Sequence, residues 1–542
     1  MARVWIVSLT IGAGLLVSTA AGVADQAKQK GGTLQISRGR DIDSVDPALA
    51  YLPDSWMLEF ATCAKLYNFP DRPAPEGAVP VPEVATDFPT LSPDGKTQTI
   101  RLRRTFRFST GRPVTAANFV AAFNRDASPK LQSPATAYLH EIAGADAVIQ
   151  GKAQSISGLR ALGPYTLQIR TTRRLADLPV RLSMPFFCPI GVDTPAEEID
   201  DPPGSGPYYV ASRVPNRQVV LERNRFYRGS RPANVDRIVM TVAGSAACHE
   251  AVEHDQLDYC AGAGVPQGEY RELVASYGLN RKDGRFFFNP TLGMSYFVFN
   301  HDRPAFKGPG QIPLKQAINW AIDRPALVRA AGYLAGKRVD HILPPALNRS
   351  PSIYPLGGVS VQSLRQARAL LAKARVRPSK LVLYASNAGS DPAMAQVFRF
   401  NLRRIGIDVD VKYFPISSFY GVVGTRGEPF DVALFGWIPD YADGFAVFGP
   451  LLDGNHLTPT DNNNIAYFDQ PKYNRAIERI GSLAGESRGQ AWADLDAEMM
   501  RDDPPMAPVM AAARTDYVSQ SYGCFVFQPV IGRPDLVAAC KT

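Results

Sequence analysis

Histidine is scarce in this chain, six among 542 residues, and no two cysteines form a Cys-x-x-Cys pair. Structural zinc sites are built on such close pairs, so the chain offers none. Past the N-terminal segment no apolar stretch reaches the roughly 18 residues a membrane-spanning helix needs. Internal repeats and low-complexity tracts are missing as well. The net charge of +8 is scattered, with no block of like charge of the kind that marks a nucleic-acid arm. The densest basic cluster, Arg101, Arg103, Arg104 and Arg107, alternates with Ile100, Leu102, Phe106 and Phe108. That alternation is the wet face of a strand pair, so no nucleic-acid partner is expected.

What is present begins with an address. Arg3 precedes an apolar segment from Trp5 to Val17, and small residues follow from Ser18 to Ala24. This is the pattern of a signal peptide, expected over residues 1–24, and the segment is too short to span a membrane. No cysteine stands near the cleavage zone, so a lipid anchor is not expected and the mature protein should be exported and periplasmic. Six cysteines in an exported chain are compatible with three disulfides. Spacing suggests Cys248 with Cys260 and Cys524 with Cys540, leaving Cys63 with Cys188, although six cysteines allow fifteen pairings.

The length implies two to four domains. Gly31-Gly-Thr-Leu-Gln-Ile-Ser37 reads as a strand, followed by a helix around Trp56 to Tyr67. Proline- and glycine-rich text at 70–82 and 201–207 marks boundaries around an α+β region containing a helix near Ala116–Arg125. Pro313 opens a helix with Leu314, Ala317, Ile318 and Ala321 on one face. Between 380 and 443 the periodicity switches twice: strand at Leu381–Tyr384, helical stripe at Ala395, Phe398, Leu402 and Ile405, and alternating strand at Ile407–Tyr413. A further helix then leads to a strand at Asp431–Phe435. This β-α-β-α-β order predicts a parallel, doubly wound sheet.

Catalytic motifs fail on context. Gly485-Glu-Ser-Arg-Gly489 has the letters of a nucleophile elbow, but a helix precedes it where the mechanism needs a strand. His249 and His254 are five apart, off the four-residue spacing of a helical zinc pair. Gly332-Tyr-Leu-Ala-Gly-Lys337 is one residue short of a phosphate loop and is read as a helix exit. A binding protein is therefore expected, not an enzyme, with no cofactor and no metal. The candidate site lies where the last strand ends, at Gly436, Trp437, Asp440, Tyr441 and Asp443. Ligands of open α/β sheets bind beyond the carboxyl ends of strands. There Trp437 and Tyr441 could wall a cation with their ring faces, and Asp440 could take its charge. Asp443 is the alternative acid and the better candidate for a helix cap.

Several blocks, in order, resemble one family. They are Gly31-Gly-Thr-Leu with Asp43-Ser-Val-Asp-Pro47; Ser92-Pro-Asp-Gly-Lys-Thr97 with Phe106-Arg-Phe-Ser-Thr-Gly-Arg-Pro-Val-Thr-Ala116 and Asn124-Arg125; Gly204-Ser-Gly-Pro-Tyr208; Gln316-Ala-Ile-Asn-Trp-Ala-Ile-Asp-Arg324; and Phe430-Asp-Val-Ala433 with Gly436-Trp-Ile-Pro-Asp-Tyr-Ala-Asp443. Together the chain is similar to the family 5 extracellular solute-binding proteins of ABC importers. The resemblance implies an α/β, two-lobed class II periplasmic binding protein-like fold with an additional α+β domain. Lobe I would comprise 25–69, 203–290 and 505–542, the additional domain 70–202 and lobe II 291–504. It further implies a monomeric receptor that binds a short peptide or other amine-bearing solute between its lobes and delivers it to a membrane permease. Asp440 would pair with the ligand's ammonium, and Gly436 and Trp437 would form the edge along which the ligand lies. Other members bind oligosaccharides, opines, nickel or haem. Two departures stand out: Asn118 replaces a usual acid, and Gly444 a usual proline.

Overall fold

The structure is a computed structural model that describes residues 30–39, 41–243, 245–261, 267–282, 284–348 and 350–542. The expected leader, 1–24, lies outside the described residues. Three main sheets organise the rest. The first has five strands in the order Tyr259–Ala261, Thr33–Arg38, Arg237–Val242, Gln218–Arg223, Tyr208–Val214. Its first three strands are parallel and the last two run antiparallel. The second is an antiparallel sheet of four strands drawn from residues 90–170, against which the helix Ala116–Asp126 packs through Phe119 and Phe123.

The third sheet has six strands: Gly336–Arg338, Met506–Tyr517, Phe286–Phe299, Val432–Trp437, Lys380–Ser386, Asp408–Phe414. The last three are mutually parallel, with the helices Asp391–Arg403 and Ile416–Val423 as crossovers, so the expected β-α-β-α-β unit is present. Both faces of this sheet are covered. Val432 and Leu434 point into a core with Phe398 and Leu402, whereas Ala433 and Phe435 point into another with Phe448 and Trp492. That is the two-sided burial a parallel sheet requires.

Two long antiparallel strands, Phe286–Phe299 and Met506–Tyr517, join the two lobes. Their pairing shifts register between Pro290 and Met294, and beyond Tyr517 the chain bridges from Val518 to Tyr259 of the five-stranded sheet. The first helix runs over Pro53–Thr62, earlier than the expected 56–67. Pro53 fits the first turn, where its missing N–H costs nothing. At Cys63 the backbone turns extended and the side chain is tied to Cys188, so the helix cannot continue.

The disulfides are Cys63–Cys188, Cys248–Cys260 and Cys524–Cys540. Motif residues far apart in sequence meet in the interior. Arg125 holds Asp46 with two bonds of 2.8 and 2.5 Å, and Arg324 donates to Asn319 Oδ1 at 3.0 Å. Asn118 accepts from the Thr115 N–H at 2.8 Å and donates to the Ile190 carbonyl at 2.7 Å. An amide can both give and take here, which a carboxylate cannot.

Candidate functional site

The strand Val432–Trp437 has a partner along its full length on one side only. The crossing strand Phe286–Phe299 pairs with it from Val432 to Trp437, but on the other side the ladder to Lys380–Ser386 stops at Ala433. From Leu434 onward one backbone edge therefore has no sheet neighbour among the described residues. Gly436 lies exposed on this stretch, and a Cβ added there would meet only the Met294 carbonyl, at 3.6 Å. The protein itself does not need a glycine at that spot. A bare backbone does allow a second extended chain to approach closely. The Trp437 indole N–H donates to the Ala446 carbonyl at 2.9 Å, which fixes its ring against the following helix.

Asp440 comes next, in the loop beyond the strand. Its Oδ1 accepts from the Tyr51 hydroxyl at 2.9 Å, a contact spanning 389 residues of sequence. Burial holds its carboxyl above the ordinary carboxylate range, and hydrogen bonds from Tyr138 and Tyr51 oppose that rise without cancelling it. Burial, and then the charge of Asp440, push both phenols upward, so each keeps its proton and donates. Asp440 has no cationic partner among the described residues' ion pairs. An apolar recess lined by Trp56, Phe60, Phe69, Met184 and Pro185 reaches it. A desolvated carboxylate with only neutral donors is under-compensated, and an incoming ammonium supplies what it lacks.

The other two residues of the expected cluster serve elsewhere. Tyr441 is 3% exposed and its hydroxyl donates to Asp177 Oδ2 at 3.0 Å, while the Arg181 guanidinium lies 5.8 Å from its ring. It thus faces the 90–190 region and not open solvent beside Asp440, so the cation wall expected of it is corrected: its ring already carries an arginine of the protein. Asp443 is held by Arg488 through two bonds of 2.7 Å and caps the next helix by accepting from the Phe445 N–H at 2.8 Å. Gly444 is explained by its neighbour, since a Cβ there would fall 2.4 Å from Cγ of Trp492.

Tyr51, Tyr138, Asp177 and Arg488 were not singled out from sequence. Tyr51 and Tyr138 carry no periodic or motif signal. Arg488 did stand in view, inside the false elbow, where Ser487 sits at the start of the helix Glu486–Asp502. His249 pairs with Glu269 at 2.8 Å, and no cluster able to hold a metal occurs among the described residues. No helix among them is long and apolar enough to cross a membrane.

Two α/β lobes on a pair of crossing strands, with a carboxylate and an unpaired strand edge at the junction, define a binding protein of the two-lobed receptor class. The model of the bacterial extracellular solute-binding proteins, family 5 middle, matches residues 79–458, and the chain belongs to that family. A similar curated protein is the periplasmic murein peptide-binding protein of Escherichia coli K12, 25% identical over 447 residues, covering 79% of each chain. Another is the periplasmic oligopeptide-binding protein of the same strain, 22% identical over 514 residues, covering 91% of this chain and 89% of that one. Among solved structures, one described as clavulanic acid biosynthesis oligopeptide binding protein 2 superposes with a TM-score of 0.85 at 23% identity, covering 95% of this chain and 96% of that chain.

Proposed function

We propose that this solute-binding protein takes a short peptide with a free N-terminus into the cleft and hands it to the membrane permease of an ABC importer from the periplasm. The observation that carries the reading is Asp440: a desolvated acid with two phenol donors and no cation, at the end of a strand with one open edge. A peptide lying along Gly436–Trp437 would add a strand there. Backbone hydrogen bonds would then give affinity that tolerates many side chains. Its ammonium would reach Asp440 and replace phenol hydrogen bonds by a charged one. Preferential affinity for the closed arrangement of the lobes would drive closure about the crossing strands. The relatives named for murein peptide and oligopeptide binding support the ligand class.

The test is titration calorimetry with a set of unmodified tripeptides and the same tripeptides N-acetylated. Binding of the free-amine set and at least a hundredfold loss on acetylation is the expected result. Equal affinity for both forms removes Asp440 from the amine role.

A further inference from the structure

We propose that a second, anion-binding site lies at the seam between the 90–190 region and the helix Pro471–Gly481, and that it takes a small oxyanion such as phosphate. The observation is a cleft lined by Arg173, Arg174, Arg475, Glu478, Arg479 and Ser482. It encloses about 270 Å³, below the roughly 300–1,000 Å³ of drug-sized pockets and suited to a smaller ion. Four guanidinium groups and a single carboxylate give it a formal charge of +3.

The two walls come from different parts of the chain. Arg475, Glu478, Arg479 and Ser482 fall at i, i+3, i+4 and i+7 on the helix Pro471–Gly481 and the residue after it, so they share one face. Tyr473, Ile477 and Ile480 of the same helix are buried on the other face, which fixes the basic face outward. Arg173 and Arg174 follow the strand Thr166–Arg170 and stand opposite. Arg173 is held in place: Glu141 accepts from it at 2.8 Å, and its guanidinium lies 5.8 Å from the Phe445 ring. The Arg174 stem is seated against the turn at Gly95, where an added Cβ would come within 3.0 Å of it.

The other three guanidiniums are exposed and have only solvent as counterpart. Arg174, Arg475 and Arg479 form no ion pair among the described residues, and neither does Glu478 on the same face. Unpaired arginines scattered over a surface are ordinary. Three of them converging with a fourth, anchored one on a concave seam are mutually repulsive. Planar guanidinium forks match the oxygens of phosphate in pairs, and an oxyanion bridging both walls would neutralise that repulsion. Ser482 donates its hydroxyl to the Arg479 carbonyl at 2.7 Å, so its remaining role toward an anion is minor. The site is separate from Asp440 and does not depend on the peptide reading.

The experiment is calorimetric titration of the exported full chain with inorganic phosphate, in chloride buffer at fixed ionic strength and with no peptide present. Saturable one-to-one binding is expected. It should weaken at least tenfold in Arg475→Gln/Arg479→Gln and severalfold in Arg174→Gln from the opposite wall. The double variant Arg365→Gln/Lys373→Gln removes the same charge from two exposed positions elsewhere, on and just beyond the helix Val361–Leu371, and should bind as the parent does. Absence of saturable binding to the parent overturns the proposal. So does unchanged affinity in the wall variants, or an equal loss in the remote control.

Discussion

Asp440 and Asp443 stand three residues apart in one loop, and their surroundings are opposites. Asp443 has a bidentate arginine at 2.7 Å on each oxygen and a backbone N–H to cap. Arg488 in turn satisfies three carbonyls, of Ile480, Gly481 and Leu483, and lies 3.8 Å from Asp177. Among the described residues Asp440 has phenols and no cation, and burial leaves its carboxyl above its usual range. A completed ion network holds parts of the fold together. An incomplete one is disposed to accept a ligand. On the proposed reading, the same side chain would do structural or binding work according to whether the protein supplies its counter-charge.

The contrast can be broken most severely at Arg488. Arg488→Met would strand Asp443 and weaken the hold on Asp177, and roughly 3–5 kcal/mol of stability should be lost, the usual cost of removing one partner of a buried pair. Urea unfolding measures it; a loss under ~1 kcal/mol would place Asp443 in the same class as Asp440. At the other acid, Asp440→Asn should weaken binding of an unmodified tripeptide by roughly 2–5 kcal/mol in calorimetry. Gly444→Ala probes the position directly after Asp443. Its Cβ would press on Trp492, costing about 1–3 kcal/mol in thermal unfolding, as overpacking does.

The smallest effect sharpens the comparison through pH. Asp440's carboxyl is raised in the fold, so an unfolded chain ionises it first. Its ionisation costs stability above the raised value, and that cost disappears as pH falls through it. The unliganded Asp440→Asn protein should therefore be as stable as the parent or more so at pH 7, with the difference shrinking as pH falls through the raised value. Ligand affinity should move the other way: the parent loses amine binding as pH drops through the raised value, because the protonated acid has no charge to offer. A variant less stable than the parent at pH 7 would mean that Asp440 is a structural partner.

Much of this was readable in advance, for definable reasons. The switch between period 3.6 and period 2 across 380–435 encodes the doubly wound unit, because both faces of that sheet are buried. The preference for Asp443 as a cap is met in part: Asp443 accepts from the Phe445 N–H, but from one position before the Gly444 N-cap. The first helix was set too late because the apolar pattern runs on through Leu66 and Tyr67, whereas a disulfide and an extended backbone at Cys63 end the helix. Tyr441 looked like a cation wall because nothing local announces Asp177, 264 positions away. Tyr51 and Tyr138 stayed invisible for the same reason. Contacts between loops leave no periodic trace, so the partners that decide what each acid does are the least legible part of the chain.

The Tyr51 hydroxyl on Asp440 has a further meaning as a resident competitor. On the proposed reading, a solute arriving at the carboxylate would share it with, or displace, a hydrogen bond that the protein already makes. A solute offering only a neutral hydroxyl exchanges like for like and gains almost nothing. A cation gains the difference between a charged and a neutral donor. If Asp440 takes the ligand's amine as proposed, the phenol would set an admission threshold: selectivity for charge would arise from competition with a resident neutral donor, without any group that repels neutral molecules.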